Sequence, residues 1–203
     1  MLPMGGASVT APRSGAIGTT YQGFRFRSRI EARWAVFFDA LGVPWEHEPE
    51  GYSDGATHYL PDFWLPDQQT FWEVKASKDF DEKKAIMLAQ ETMRQVVVSF
   101  HQPWETYQGH DVDGATLYWP IGECAFYWPY SLERLERVGW RSCAYCKRIE
   151  LNWQDEGEAF SHICRSCSAP PDLDGKDWAV LPVTRAVEAC KAYQFWIPPE
   201  GGR

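Results

Sequence analysis

Residues 61 to 75 read PDFWLPDQQTFWEVK, and no other stretch constrains the fold as strongly. Aromatic and aliphatic residues on either side of the polar Pro66-Asp67-Gln68-Gln69 describe a β-hairpin. A four-residue loop places Leu65 opposite Thr70, and counting back from there places Asp62 opposite Glu73. Side chains alternate along a strand, so Glu73 and Lys75 point to one face, shared by Asp62, with Lys75 diagonally across from Asp62. Like charges opposed across a sheet destabilise it. A divalent cation between the carboxylates removes that penalty. Mg2+ (or Mn2+) takes such hard oxygen ligands, and the main-chain carbonyl of Val74 offers a further one. The competing reading is a hairpin face whose charges simply meet solvent.

The hairpin sits within a regular succession of elements. Ile30, Trp34, Phe37, Phe38 and Leu41 recur at helical spacing from Ser28 to Leu41, and Gly42 with Pro44 ends the pattern. Trp45 to Glu48, Thr57 to Trp64 and Thr70 to Ala76 read as a three-stranded meander. A second helix is expected from Lys78 to Met93, started by Asp79 and Glu82, with Ala85, Leu88 and Thr92 on one face. Val96 to Phe100 reads as a buried strand. Residues 101 to 140 hold strand-like pieces such as Thr116 to Trp119 and a short helix expected from Leu132 to Val138. A last helix is expected from Thr184 to Phe195.

These residues carry a resemblance. Pro61-Asp62, ten intervening residues and then Glu73-Val74-Lys75 resemble the motif of the PD-(D/E)XK nuclease superfamily, and the order helix, three strands, helix, strand is similar to its restriction-endonuclease-like α/β core. The resemblance covers residues 21 to 100. It implies Mg2+-dependent hydrolysis of phosphodiester bonds, with Asp62 and Glu73 as metal ligands and Lys75 assisting the attacking water. Many members add an acid from the first helix, and Glu31 stands where it is expected. The run Ser28-Arg29-Ile30-Glu31 also reads as a capping box, in which Ser28 starts the helix and Glu31 bonds back.

A second motif lies downstream. Cys143-Ala144-Tyr145-Cys146 and Cys164-Arg165-Ser166-Cys167 are two CxxC pairs 17 residues apart, a spacing that suits tetrahedral Zn2+ in a small ribbon-like module. Redox pairs or disulfides are the alternatives, but the first lacks a βαβ context and the second an oxidising compartment. His162 is near enough to replace one cysteine. Four thiolates leave no open position, so this zinc is expected to be structural. Arg141, Lys147, Arg148 and Arg165 suit phosphate contact, while Glu150, Asp155, Glu156 and Glu158 offset them; stabilising an aromatic-rich extension is the equal alternative. Cys124 and Cys190 read as buried cysteines.

A net charge of −8 argues against coating nucleic acid through the overall field, but leaves room for a local basic groove. Arg25, Arg27, Arg29 and Arg33 form such a run, suited to phosphate or to a solvated helix face. No apolar run resembles a signal peptide or membrane span, so a soluble, cytoplasmic protein with no membrane partner is expected. The chain divides into an arm at residues 1–20, a nuclease-like core and extension at 21–139, the cysteine module at 140–170, and a helix and tail at 171–203. DNA is the expected partner, with RNA as an open variant. A duplex cut by one site needs two protomers or two events, so a homodimer is a further expectation. The rival functions are an inactive nucleic-acid-binding or scaffold protein and a zinc-dependent regulator.

Overall fold

A computed structural model describes residues 18–76, 80–100, 102–112, 115–120, 124–127, 137–143, 145–154, 167–168 and 180–195, and among these the first regular element starts at Thr19. Strands β1 (Thr19–Tyr21) and β2 (Phe24–Phe26) form a hairpin. Its turn residues Gln22 and Gly23 have φ of 48° and 84°, the left-handed pair that a two-residue type I′ turn requires. Helix α1 (Arg29–Leu41) starts at the N-cap Ser28 and ends at Gly42, whose φ of 75° suits glycine at a helix C-terminus. The following elements are β3 (Glu46–His47), β4 (Tyr52–Ser53), β5 (His58–Tyr59), β6 (Phe63–Leu65), β7 (Thr70–Val74), α2 (Glu82–Thr92) and β8 (Gln95–Ser99). After them come α3 (Pro103–Thr106), β9 (Tyr107–Val112), β10 (Ala115–Pro120), β11 (Cys124–Tyr127), β12 (Arg137–Ser142), β13 (Ile149–Gln154) and α4 (Val180–Ala192).

The molecule is a mixed α/β structure whose main sheet runs in the order β11-β8-β7-β6-β3. Strand β7 is its centre: every residue from Thr70 to Val74 is buried, as expected of a strand covered on both faces. It pairs antiparallel with β6 and parallel with β8, and α2 makes the crossover that a parallel pair needs. Alternation sends Trp72 and Val74 into an apolar cluster with Trp34, Phe37 and Phe38 of α1, and Phe71 into a second cluster with Ala85, Leu88 and Ala89 of α2. Trp34 and Phe38 lie with ring centroids 4.8 and 5.5 Å from that of Trp72.

Helix α4 joins the α1 side through Val183, Ala186, Val187 and Cys190. Its C-terminal carbonyls are capped from outside. The guanidinium of Arg33 donates to the main-chain oxygens of Cys190, Lys191 and Tyr193, the last two at 3.3 and 2.9 Å. The member of the basic run expected to face solvent or phosphate therefore holds two helices together.

Several expected boundaries differ. The segment Thr57 to Trp64 is two strands: β5 pairs with β4 in a separate two-stranded sheet, and β6 joins the main one. Pro61, which lacks an N–H, sits at the break, and the Asp62 N–H is bonded to a side chain instead of a ladder partner. Helix α2 starts at the N-cap Asp81, not near Lys78; residues 77–79 lie outside the described set. Arg137 and Val138, expected to end a short helix, belong to β12, opposite Gln154 and Trp153; residues 132–136 of that expectation are not described. Strand β12 fits here because Trp140 is buried at 1% exposure and stacks on Trp72, which fixes the segment against the core. Helix α4 begins at Val180 and stops at Ala192, so Tyr193 to Phe195 are not helical.

Candidate active site

The β6–β7 turn has the expected length. Leu65 faces Thr70 and Phe63 faces Trp72, which continues to Asp62 against Glu73. Gln69 takes φ of 52° to close the loop. The two acids emerge at the end of the hairpin away from that turn, and both are inside the protein: Asp62 is 3% exposed and Glu73 0%.

Backbone bonds fix them. The Asp62 N–H donates to Oε1 of Glu73 at 3.1 Å, and the Val74 N–H donates to Oδ2 of Asp62 at 2.8 Å. Lys75 then reaches across, its Nζ lying 3.3 Å from Oδ2 of Asp62 and 2.7 Å from Oε2 of Glu73. Neighbouring β8 pins the strand: Trp72 Nε1 donates to Ser99 Oγ, Ser99 Oγ donates to the Glu73 carbonyl, both at 3.1 Å, and the Lys75 N–H donates to the Ser99 carbonyl at 2.8 Å.

Glu31 stands beside the cluster at the start of α1, linked to it through Arg27, whose Nε lies 4.0 Å from Oε2 of Glu31. Its N–H donates to Ser28 Oγ at 3.2 Å, while its carboxylate accepts from Ser28 Oγ at 2.8 Å and from the Arg27 N–H at 3.1 Å. The capping reading therefore describes its bonds. It also lies in the field of the site: burial first, and then the Asp62 charge, raise its pKa above the usual carboxylate range.

Three residues not assigned to the site from sequence complete it. Tyr59 donates its hydroxyl to Oε2 of Glu73. Arg27 lies with Nη2 2.5 Å from Oδ1 of Asp62 and Nε 3.1 Å from Oε1 of Glu48. Arg27 was visible as part of a basic run, but nothing in the run distinguished it from its neighbours. Tyr59 and Glu48 lay in segments read only as strands, and no motif singled them out from their neighbours.

Among the described residues, the carboxylates of Glu31, Glu48, Asp62 and Glu73 outnumber the cations Arg27 and Lys75 at this site. Burial and the Asp62 charge push Glu73 up to about 7, with Lys75 pulling the other way. Burial opposes the charge on Lys75, yet Asp62 and Glu73 outweigh it and hold its pKa above the ordinary value. A buried acid surplus of this kind is relieved by a proton or by a cation. The donor set, carboxylate oxygens in a partly closed site, fits Mg2+ or Mn2+.

The cysteine motif forms a separate cluster. The ligand atoms of Cys143, Cys146 and Cys167 lie within 4.8 Å of one another, and Cys143 Sγ is 3.6 Å from Cys167 Sγ. That is far beyond a disulfide bond of ~2.05 Å. It approaches the ~3.8 Å edge of a tetrahedron with Zn–S bonds of ~2.3 Å. Burial raises the Cys143 thiol, but N–H groups of Cys146 and Tyr145 and the neighbouring thiols bring it down to about 7. The three thiols thus suit a metal such as zinc. Cys164 and His162 lie outside the described residues, as does the Cys124 side chain; Cys190 is buried as expected. The cluster sits at the tip of the β12–β13 hairpin, where Gln68 Nε2 donates to the Ile149 carbonyl at 3.0 Å. Gln68 belongs to the β6–β7 turn, so the cysteines lie beside the turn end of β6–β7 and the buried acids at its other end.

No protein-family model, curated protein or solved structure matches the chain. Among the described residues no helix is long and apolar enough to cross a membrane.

Proposed function

We propose that this chain is a metal-dependent DNA endonuclease of the PD-(D/E)XK type, with α1, the β6–β7 hairpin, α2 and parallel β8 as its restriction-endonuclease-like core. The observation that carries the reading is the buried pair Asp62 and Glu73 on facing strands, bridged by Lys75 at 3.3 and 2.7 Å within a surplus of acid. A structural ion-pair network balances its charges, and among the described residues this one does not.

In this reading Asp62 and Glu73 hold Mg2+, with the Val74 carbonyl as a further oxygen, and Glu31 adds acid at the margin. Bound there, the ion supplies charge neutralisation at phosphate and makes water more acidic. The rest falls to the chain. The backbone bonds between Asp62, Glu73 and Val74 hold both carboxylates in place before substrate arrives, which limits reorganisation. Lys75 keeps its proton beside the acids, so it donates hydrogen bonds to the attacking water and stabilises charge that develops on the phosphate oxygens. The cysteine cluster, at the far hairpin end, holds structural zinc.

The test is incubation of purified protein with supercoiled plasmid and Mg2+, with single-stranded DNA and RNA as further substrates. Nicking or cutting is expected, and Asp62→Ala or Lys75→Ala abolishes it. Unchanged cleavage by both variants overturns the site. Binding without cleavage across divalent ions identifies an inactive nucleic-acid-binding protein instead, and loss of function in Cys143→Ser with Asp62→Ala unaffected identifies a zinc-dependent regulator.

A further inference from the structure

The two oxygens of Asp62 are used differently. Oδ2 is fixed inside the protein by the Val74 N–H at 2.8 Å and Lys75 Nζ at 3.3 Å, whereas among the described residues Oδ1 meets only Nη2 of Arg27, at 2.5 Å. Oδ1 is the oxygen left for a metal ion. A guanidinium at that distance covers its lone pairs, so Arg27 and a divalent cation compete for one atom.

Arg27 is built to leave. Its side chain is 49% exposed, against 4% for that of Asp62, and its second partner Glu48 is itself partly exposed. Its main chain stays: the N–H is bonded to Glu31, and Ser28 next to it caps α1. The guanidinium can therefore swing from a fixed root at the mouth of the site. Its planar fork matches the oxygens of a phosphate as well as those of a carboxylate.

We infer that Arg27 is a counter-ion-swap residue: it covers Oδ1 of Asp62 in the metal-free protein and, displaced by the divalent cation, contacts a backbone phosphate of the nucleic acid. The inference rests on the metal-site reading above. It couples the two ligands. The divalent ion fills the acid surplus that Arg27 partly offset, and the released positive charge is met by the phosphate.

Two measurements test it. Titration calorimetry with Mn2+ and no nucleic acid should show Arg27→Gln binding the ion about fivefold more tightly than wild type, the size of a half-exposed ion pair removed. Fluorescence anisotropy with a duplex oligonucleotide should show Arg27→Gln binding several-fold more weakly in Ca2+, a hard cation that also takes oxygen ligands, and equally to wild type in EDTA. Should Arg27→Gln fail to fold by circular dichroism, Arg27→Lys, which loses the fork, carries both measurements with the same signs. Mn2+ binding that disappears in Asp62→Asn but is no tighter in Arg27→Gln overturns the swap and leaves the metal site standing. An equal loss of DNA affinity in Ca2+ and EDTA also overturns it, since Arg27 is then an ordinary basic contact. Absence of Mn2+ binding in every variant, wild type included, brings down the metal site and the swap together.

Discussion

The N–H of Asp62 donates to the carboxylate of Glu73 at 3.1 Å, and the carboxylate of Asp62 in turn accepts from the N–H of Val74, the residue after Glu73, at 2.8 Å. Each acid is thus held by the backbone of the opposite strand. Both carboxylates must stay in place for the strand ends to keep their N–H groups satisfied, because a buried N–H without a partner costs about 1 to 3 kcal/mol. The protein holds two like charges together here by structure, not by chance on a solvated face.

That arrangement gives stability a definite dependence on pH. Burial and the facing Asp62 raise Glu73 to about 7, while Lys75 and Tyr59 act against the shift. A carboxyl whose folded pKa exceeds its unfolded one stabilises the fold below the unfolded value, and the contribution is lost as pH rises through about 7. His47, which burial pushes down, acts in the opposite sense, so the Glu73 contribution is read as a difference between proteins. In EDTA, the melting temperature of wild type relative to Glu73→Gln should fall between about pH 5 and about pH 8. Saturating Mn2+ should remove that fall, because the cation takes the place of the proton. Parallel curves for the two proteins in EDTA would contradict the assignment.

Tyr59 tunes the same carboxyl. Burial first, and then the Glu73 charge, raise its pKa far above the ordinary phenol value, so the hydroxyl remains a donor throughout the working range. Its bond to Oε2 of Glu73 favours the ionised acid. Tyr59→Phe keeps the ring and removes the donor. It should cost about 1.5 to 3 kcal/mol in urea unfolding, as for a hydrogen bond to a charged group. It should also move the midpoint of Mn2+ binding to higher pH. A midpoint that stays fixed, with Mn2+ binding otherwise intact, would show that Tyr59 only packs.

The hairpin register was legible because turn length and alternation are local: Leu65 against Thr70 follows from four loop residues alone. Helix α1 was legible for the same reason, with an apolar period and caps at both ends. What escaped depended on distant contacts. Segment 57–64 splits because Tyr59 must leave the main sheet to cover Glu73, and residue 138 is in a strand because Trp140 is drawn into the stack with Trp72. The arginines differ in the same way. Arg27 and Arg33 look equivalent in the run, yet one meets Asp62 and the other the end of α4, 157 residues away.

That division of labour in the basic run is testable. Arg33 caps three carbonyls at the end of α4 and lies with its guanidinium 4.9 Å from the ring centroid of Phe195 and 5.4 Å from that of Trp104. Arg33→Ala should lower stability by about 1 to 3 kcal/mol, the range for charged hydrogen bonds and carbonyls left unpaired. Its affinity for Mn2+ and for duplex DNA, measured well below the melting temperature, should match wild type. A selective loss of DNA affinity without loss of stability would return Arg33 to the phosphate-binding surface.

The cysteine cluster allows the last separation, between the zinc proposed to hold the fold and the divalent ion proposed at the buried acids. Cys143 and Cys146 close the tip of β12–β13, with the Cys143 N–H bonded to the Arg148 carbonyl at 3.0 Å, and the same hairpin carries Trp140 and Leu151 into the main core. Unfastening the tip therefore loosens a hairpin whose Trp140 ring lies 6.0 Å from that of Trp72. Because the cysteines stand at the turn end of β6–β7 and the acids at the other, stability should suffer before the acid site does. Purified protein should contain zinc by atomic emission. Removing it with 1,10-phenanthroline, or substituting Cys146→Ser, should lower the melting temperature and shift tryptophan fluorescence to longer wavelength, with recovery on adding Zn2+ but not Mg2+. At a temperature where the zinc-free protein remains folded, calorimetric Mn2+ binding should persist; its disappearance there would mean that the two ends of the hairpin are coupled.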